Sequence, residues 1–196
     1  MITRLSHLKP VLLAAFAAVS LAACAGGTTV SRVHIAQSYL PIELYVVATG
    51  ENELRTIIVG DPFDMPKDAF ERVVLASLEG QNFGPPLNLS TDPEREDARK
   101  RQVVIAFNLT NIKHADTLCS GSAETVKLAD TVGRLTVTGV YCAGGLYLTQ
   151  ATARSDVVTG PDSEQFRRLM TQLAIALFPA ENPHRCQWVR QVRLCA

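Results

Sequence analysis

The chain reads as one small α+β domain, an antiparallel or mixed sheet of about five strands with two helices on one face, preceded by a removable leader and a flexible tether. Three observations predict this. Phe166, Leu169, Met170, Leu173, Ala174 and Leu177 recur at helical spacing, the rhythm of a helix with one buried face. Residues 135–142 and 146–155 are alternating, β-rich segments joined through Ala143-Gly144-Gly145, which is a hairpin signal. Residues 103–109 are apolar on both faces apart from Asn108, as a central strand should be.

The remaining elements follow in order. Ile42, Leu44, Val46 and Ala48 alternate with Glu43, Tyr45, Val47 and Thr49, which predicts a strand. Gly50-Glu51-Asn52 is a turn signal, and residues 54–59 complete a hairpin. Asp64 ahead of Met65-Pro66 marks a helix start, because aspartate accepts orphan amide hydrogens and proline suits the first turn. Phe70, Val73, Val74 and Leu78 share a face of that helix, and Gly80 ends it. Residues 81–92, with Pro85-Pro86, are loop. Residues 94–101 are a mixed charge run that reads as a solvated face leading into the next strand. Its alternative role is contact of Arg99, Lys100 and Arg101 with an acidic partner or anionic headgroups. Gly144-Gly145 is a tight turn rather than a phosphate cradle, since no helix start or lysine follows it. Ser163 or Asp162 caps the second helix, Pro179 ends it, and residues 186–195 fold back as a tail around Trp188. The expected order is strand, strand, helix, strand, strand, strand, helix.

The N-terminus is a targeting segment. Arg4, His7 and Lys9 make a basic start, residues 11–21 are apolar, and Leu21-Ala22-Ala23 precede Cys24. The apolar run is shorter than the about twenty residues that span a bilayer core. Leu, small, small, Cys resembles the lipobox of bacterial lipoproteins. That resemblance implies a diacylglycerol on the Cys24 thiol and cleavage ahead of it, so that residues 1–23 are lost. The polar, small-residue stretch of residues 24–41 then reads as lipidated cysteine and tether, and residues 42–196 as the periplasmic domain. Ala25, where an aspartate favours inner-membrane retention in such proteins, implies the outer membrane, facing the periplasm. Tyr141-Cys142-Ala143-Gly144-Gly145, Gly160-Pro161-Asp162, Phe166-Arg167-Arg168-Leu169 and Leu177-Phe178-Pro179 are similar to small, uncharacterised lipoproteins of Gram-negative envelopes, a likeness that brings no activity with it.

The 19 basic and 19 acidic side chains of the 196-residue sequence cancel, unlike the strongly basic surfaces that bind nucleic acid. Cys119, Cys142, Cys186 and Cys195 remain beside Cys24. An even set in an exported chain points to disulfides. Three pairings are open; proximity in sequence favours Cys119–Cys142 and Cys186–Cys195, closures worth about 3.5 and about 2.7 kcal/mol. No paired C-x-x-C supports a metal, and His184 beside Cys186 is a lone pairing.

No catalytic set emerges. Ser120 and Ser122 lack a G-x-S-x-G frame. His34 falls in the tether and His184 in the tail, which leaves His114 as the one candidate base, and its neighbour Cys119 is expected to be oxidised. Asp61, Asp64, Asp68 and Glu71 are explained by the first helix start, and Asp116, Glu124 and Asp130 are too sparse for a calcium loop. The expectation is therefore a non-enzymatic protein without cofactor or metal, held to the membrane by its N-terminal lipid and bound to an envelope protein partner. The alternatives are a lipoprotein holding an apolar or glycan ligand between sheet and helices, and an exported hydrolase.

Overall fold

A computed structural model describes residues 27–49, 53–95, 100–110, 115–121, 134–185, 187–189 and 192–194. Its centre is a six-stranded mixed sheet in the order β1-β6-β5-β4-β2-β3, formed by β1 (Thr29–Ile35), β2 (Leu54–Val59), β3 (Leu89–Ser90), β4 (Arg101–Phe107), β5 (Leu135–Ala143) and β6 (Leu146–Ser155). The helices are α1 (Ile42–Thr49), α2 (Lys67–Leu78), α3 (Ala115–Cys119) and α4 (Glu164–Leu177). A 3-10 turn (Pro183–Arg185) leads to a separate ribbon of β7 (Gln187–Val189) and β8 (Val192–Leu194). The α+β class and the mixed sheet are as the sequence predicts.

The predicted hairpin is the middle of the sheet. Ala143 pairs with Leu146, so the loop is Gly144-Gly145, and both have positive φ (58° and 85°). That is the requirement of a two-residue turn whose twist matches its strands. β4 pairs antiparallel with β5 and parallel with β2. Its residues from Val103 to Phe107 are buried on both faces, as its composition requires. The strand stops at Phe107: Asn108 turns to positive φ (49°) and accepts the Thr136 N–H on Oδ1 at 3.1 Å. α4 starts at a Ser163 cap whose side chain accepts the Phe166 N–H, and it buries the six residues that set its rhythm.

Most of the core lies on one face. Val103, Ile105, Phe107, Val137, Tyr141, Ala151 and Ala153 meet Leu44 and Val47 of α1, Phe70, Val74 and Leu78 of α2, and the apolar stripe of α4. Phe70 and Phe107 rings lie 5.0 Å apart, and Tyr141 stands edge-on to Phe178 at 5.6 Å, arrangements that aromatic quadrupoles favour. The opposite face carries a smaller cluster, Val104, Val140 and Cys142 under Ala115, Leu118 and Cys119 of α3. Thus α2 and α4 share a face as expected; α1 joins them, and α3 was not anticipated.

Three expectations are corrected. Residues 42–49 form a helix, not a strand. Their apolar content satisfies both patterns locally; Leu44 and Val47, one turn apart, are the residues the core buries, and Pro41 and Glu43 suit a first turn. The hairpin with residues 54–59 therefore does not exist. β2 instead pairs in parallel with β3 and β4, and α2 is the crossover that parallel pairing needs. The tether does not extend to residue 41. Residues 29–35 form an edge strand on β6, and residues 36–41 are fixed: Tyr39 is fully buried and donates its hydroxyl hydrogen to Pro179 O at 2.7 Å. The globular unit thus includes residues 29–41 as well as those from 42 onward. Finally, the α2 helix starts beyond Asp64, after Pro66 and without a side-chain cap. Asp61 is the aspartate that accepts, taking the Phe63 and Met65 N–H groups.

Candidate functional site

Cys24 lies outside the described residues, but the place where its chain enters the fold is defined. Gly27 and Thr28 run beside α4, where with Glu164, Arg167, Arg168, Thr171 and Gln172 they line a cleft of about 330 Å³. The two arginines are engaged there, Arg168 with Glu164 and Arg167 with Asp162 O. Thr29 then pairs with Arg154 near the end of β6, and Ile35 with Thr149 toward its start. The chain therefore enters at one end of the sheet and reaches α1 at the other. Six residue steps of about 3.3 Å separate these ends, roughly 20 Å.

α1 carries an exposed apolar face at that far end. Leu44 and Val47 turn inward, while Ile42 and Val46 are 65 and 60 % exposed. Tyr45 packs over the backbone at Gly84, beside the exposed Phe83. Ile42, Tyr45 and Val46 are at i, i+3 and i+4, so they form one surface. A helix apolar all round is ordinarily covered on every side, and this one is covered on its core side only by the described residues. Glu43, the helix's one charged residue, is directed to Arg101 at 3.5 Å.

The charge run is divided by the structure. The Arg101 side chain is almost wholly buried on the core face beside Glu43, Lys100 is exposed in a left-handed conformation (φ 50°), and Arg99 lies outside the described residues. Lys100 is joined instead by Arg55 of β2, which no sequence pattern had associated with it. With Ile57, Arg101 and Gln102 they line a cavity of about 280 Å³ at the β2–β4 end of the sheet. Gln102 Nε2 also donates to Cys119 O at 3.0 Å, tying that end of the sheet to α3.

Cys119 and Cys142 are joined by a disulfide that fastens α3 to β5. Cys186 and Cys195 lie outside the described residues, though the β7–β8 ladder between them pairs Gln187 with Leu194. His114 and Ser122 also lie outside. Ser120 donates to Thr117 O at the end of α3, and Asp116 accepts the Tyr147 N–H at 2.9 Å; both have structural partners. Among the described residues no three His, Cys, Asp or Glu side chains converge as a metal would need, and no helix is long and apolar enough to cross a membrane.

Among the described residues, Tyr39 is a titratable group clearly perturbed by its surroundings. Burial, and then the neighbouring Tyr141, push its phenol well above the usual tyrosine range. Its ring stands edge-on to Tyr141 at 6.4 Å, inside the core, where it has no access to a substrate.

Comparison with known proteins adds one likeness. No family model matches the chain, and no curated protein matches it. Among solved structures it is similar to a PelC variant dodecamer from Paraburkholderia phytofirmans, with 12 % identity over 77 % of this chain and 97 % of that one, and a TM-score of 0.37. At that score the likeness carries no functional argument.

Proposed function

We propose that the chain is a lipid-anchored envelope lipoprotein whose domain binds another protein and performs no catalysis of its own. The observation that carries this reading is the residue order Leu21-Ala22-Ala23-Cys24 after a basic start and a short apolar run. Ala25 supports attachment to the outer membrane on the periplasmic side. The fold lends support in two ways. Four residues separate Cys24 from β1, a leash of at most about 14 Å, so an anchored domain would sit close to the bilayer. The uncharged face of Ile42, Tyr45, Val46 and Phe83 would then lie at the end of the sheet remote from the anchor, where an apolar protein surface could cover it.

The interior speaks against the ligand-binding alternative. Between sheet and helices, Ile105, Leu173 and Leu177 belong to one packed cluster that leaves no room for even a Cβ on Gly139 without a shift, and the core residues of α4 are fully buried.

The test is made in two parts. In a Gram-negative host, an alkyne-tagged fatty acid should label the full chain and fail to label Cys24→Ser. Cross-linking in whole cells should then recover a defined partner with the native chain, and lose it with Val46→Asp. Equal labelling of Cys24→Ser would defeat the anchoring; identical cross-link products from native and Val46→Asp chains would defeat the partner surface.

A further inference from the structure

α1 divides into two halves along its length. Glu43, Leu44, Val47 and Ala48 turn inward: Leu44 and Val47 are buried, Ala48 packs against the core cluster, and Glu43 reaches Arg101 at 3.5 Å. The other half, Ile42, Tyr45, Val46 and Thr49, is exposed. Its spacing of i, i+3, i+4 and i+7 is the stripe with which one helix packs along another. The inward half joins the cluster on the core face of the sheet, so the outward stripe looks away from that face, sideways to the strands rather than along them. Phe83 extends the stripe. Tyr45 lies against Gly84, whose added Cβ would stand 3.3 Å from the ring, and Phe83 beside it is 52 % exposed.

Charge and area narrow the occupant. Glu43 is turned inside, so the stripe and Phe83 are uncharged. A two-fold contact sets a surface against itself, and an uncharged surface meets no like-charge repulsion there. The whole chain is balanced too, 19 basic against 19 acidic side chains, and nearly so once Arg4 and Lys9 leave with the leader. Exposures of 65, 49, 60 and 52 % leave on the order of 500 Å² of Ile42, Tyr45, Val46 and Phe83 bare in each copy. Two such faces together bury on the order of 1,000 Å², the low end for a specific contact and the range of weak, transient ones. A face of that size serves partners already held close. Copies anchored through the same short leash present it at the same height in one leaflet, and tethering raises their effective concentration.

We infer that the α1 stripe is where one copy of the chain docks on a second copy, stripe against stripe. This rests on the reading of an anchored, protein-binding domain and names its partner. In a two-fold contact centred on the stripe, Val46 stands near the axis and meets the partner's Val46, with Ile42, Tyr45 and Phe83 around the pair.

Photo-cross-linking of the full chain in a Gram-negative host tests this. Two forms with different C-terminal epitope tags are co-expressed, each carrying a photoreactive benzoylphenylalanine in place of Phe83. Irradiation should give a product of twice the chain's mass that bears both tags. Val46→Asp in both forms, or Val46→Lys in both, should lower its yield about tenfold, because like charges are then buried against each other. Val46→Asp in one form with Val46→Lys in the other should recover most of it, which also shows that both variants fold. Only a face that meets itself is rescued in this way. Absence of the two-tag product when both forms keep Val46, an unchanged yield with Val46→Asp, or no recovery in the mixed pair overturns the inference. A Val46-dependent product that joins one tag to a different protein overturns it too, while leaving the protein-binding reading intact. Fatty-acid labelling of the same cells reports the anchor separately: a labelled chain without the two-tag product fails here and not at the anchor.

Discussion

Gly139 lies directly beneath Leu177: a Cβ added to the glycine would stand 3.0 Å from Leu177 Cδ2, with Leu173 Cδ1 at 3.4 Å and Ile105 Cδ1 at 3.5 Å. The missing side chain on the central strand β5 is what lets the C-terminal turn of α4 approach the sheet. Leu177 is fully buried, so it cannot swing aside into solvent. Gly139→Ala should therefore destabilise the domain by about 1–3 kcal/mol through overpacking. Chemical denaturation should show a lower midpoint with an unchanged slope. Gly139→Ala with Leu177→Val should recover part of the loss, because the second change removes volume at the same point.

Asn182 performs a task that no local pattern announces. It is fully buried; its Nδ2 donates to Ala36 O at 2.9 Å and to Tyr39 O at 2.8 Å, and its Oδ1 accepts the His184 N–H at 3.0 Å. It thereby satisfies backbone groups of the β1–α1 connection from the other end of the chain. Asn182→Ala takes the buried donor from Tyr39 O and leaves Ala36 O with the Tyr39 N–H alone, a cost of about 1–3 kcal/mol. Asn182→Asp keeps the shape but replaces the donor with a carboxylate, and should be the more harmful of the two. Hydrogen exchange would check the location, with lost protection expected at Tyr39 and Leu44 before the β5–β6 amides. Uniform loss across the sheet would contradict a local role.

Tyr39 gives the domain an alkaline limit. Its folded value is raised above the ordinary 10.0, first by burial and then by Tyr141. Above pH 10 the unfolded chain releases the phenolic proton while the folded chain retains it, so the unfolded state binds fewer protons and stability falls as pH rises. The contribution is complete below pH 10 and is lost progressively above it. Tyr39→Phe removes the hydrogen bond to Pro179 O, so it should cost about 1 kcal/mol at neutral pH. It should also flatten the fall in melting temperature between pH 9 and 11. An unchanged slope would mean that another group governs alkaline unfolding.

What could be read from the sequence follows from how local each signal is. The β5–β6 hairpin and α4 rest on short-range patterns, a Gly-Gly turn and a helical apolar stripe, and the packing agrees with both. Residues 42–49 were ambiguous because Ile-Glu-Leu-Tyr-Val-Val-Ala-Thr is apolar enough to satisfy alternation and helical spacing together; only the core chooses Leu44 and Val47. β1 was hidden because it is a largely exposed edge strand with a register shift between Ser31 and His34, where Arg32 has positive φ (52°). That irregularity erases the two-residue period and also blunts an edge that could pair with other chains. The Arg55–Lys100 cavity could not be seen at all, since the parallel pairing of β2 with β4 is a property of topology. By contrast, the Cys119–Cys142 pairing was readable, because nearness in sequence and an even cysteine count both favoured it.

That disulfide is the fastening of the second face of the sheet. α3 is only five residues long, too short to be stable by itself. It is held by the bond to Cys142, by Gln102 donating to Cys119 O, and by the Tyr147 N–H donating to Asp116. Cys119→Ser with Cys142→Ser should cost about 2–4 kcal/mol, the range for a closed loop of this kind. The loss should be uneven. Leu118 and Val140 amides should exchange faster, whereas the α4 amides, packed on the other face, should keep most of their protection until global unfolding. The same experiment reports on the cavity, since Gln102 is both a lining residue and the acceptor's partner at Cys119. Peptide mapping of the unreduced protein should find Cys119 with Cys142, and Cys186 with Cys195 across the β7–β8 ribbon. Recovery of a Cys119–Cys186 or Cys142–Cys195 peptide as the main product would refute the arrangement.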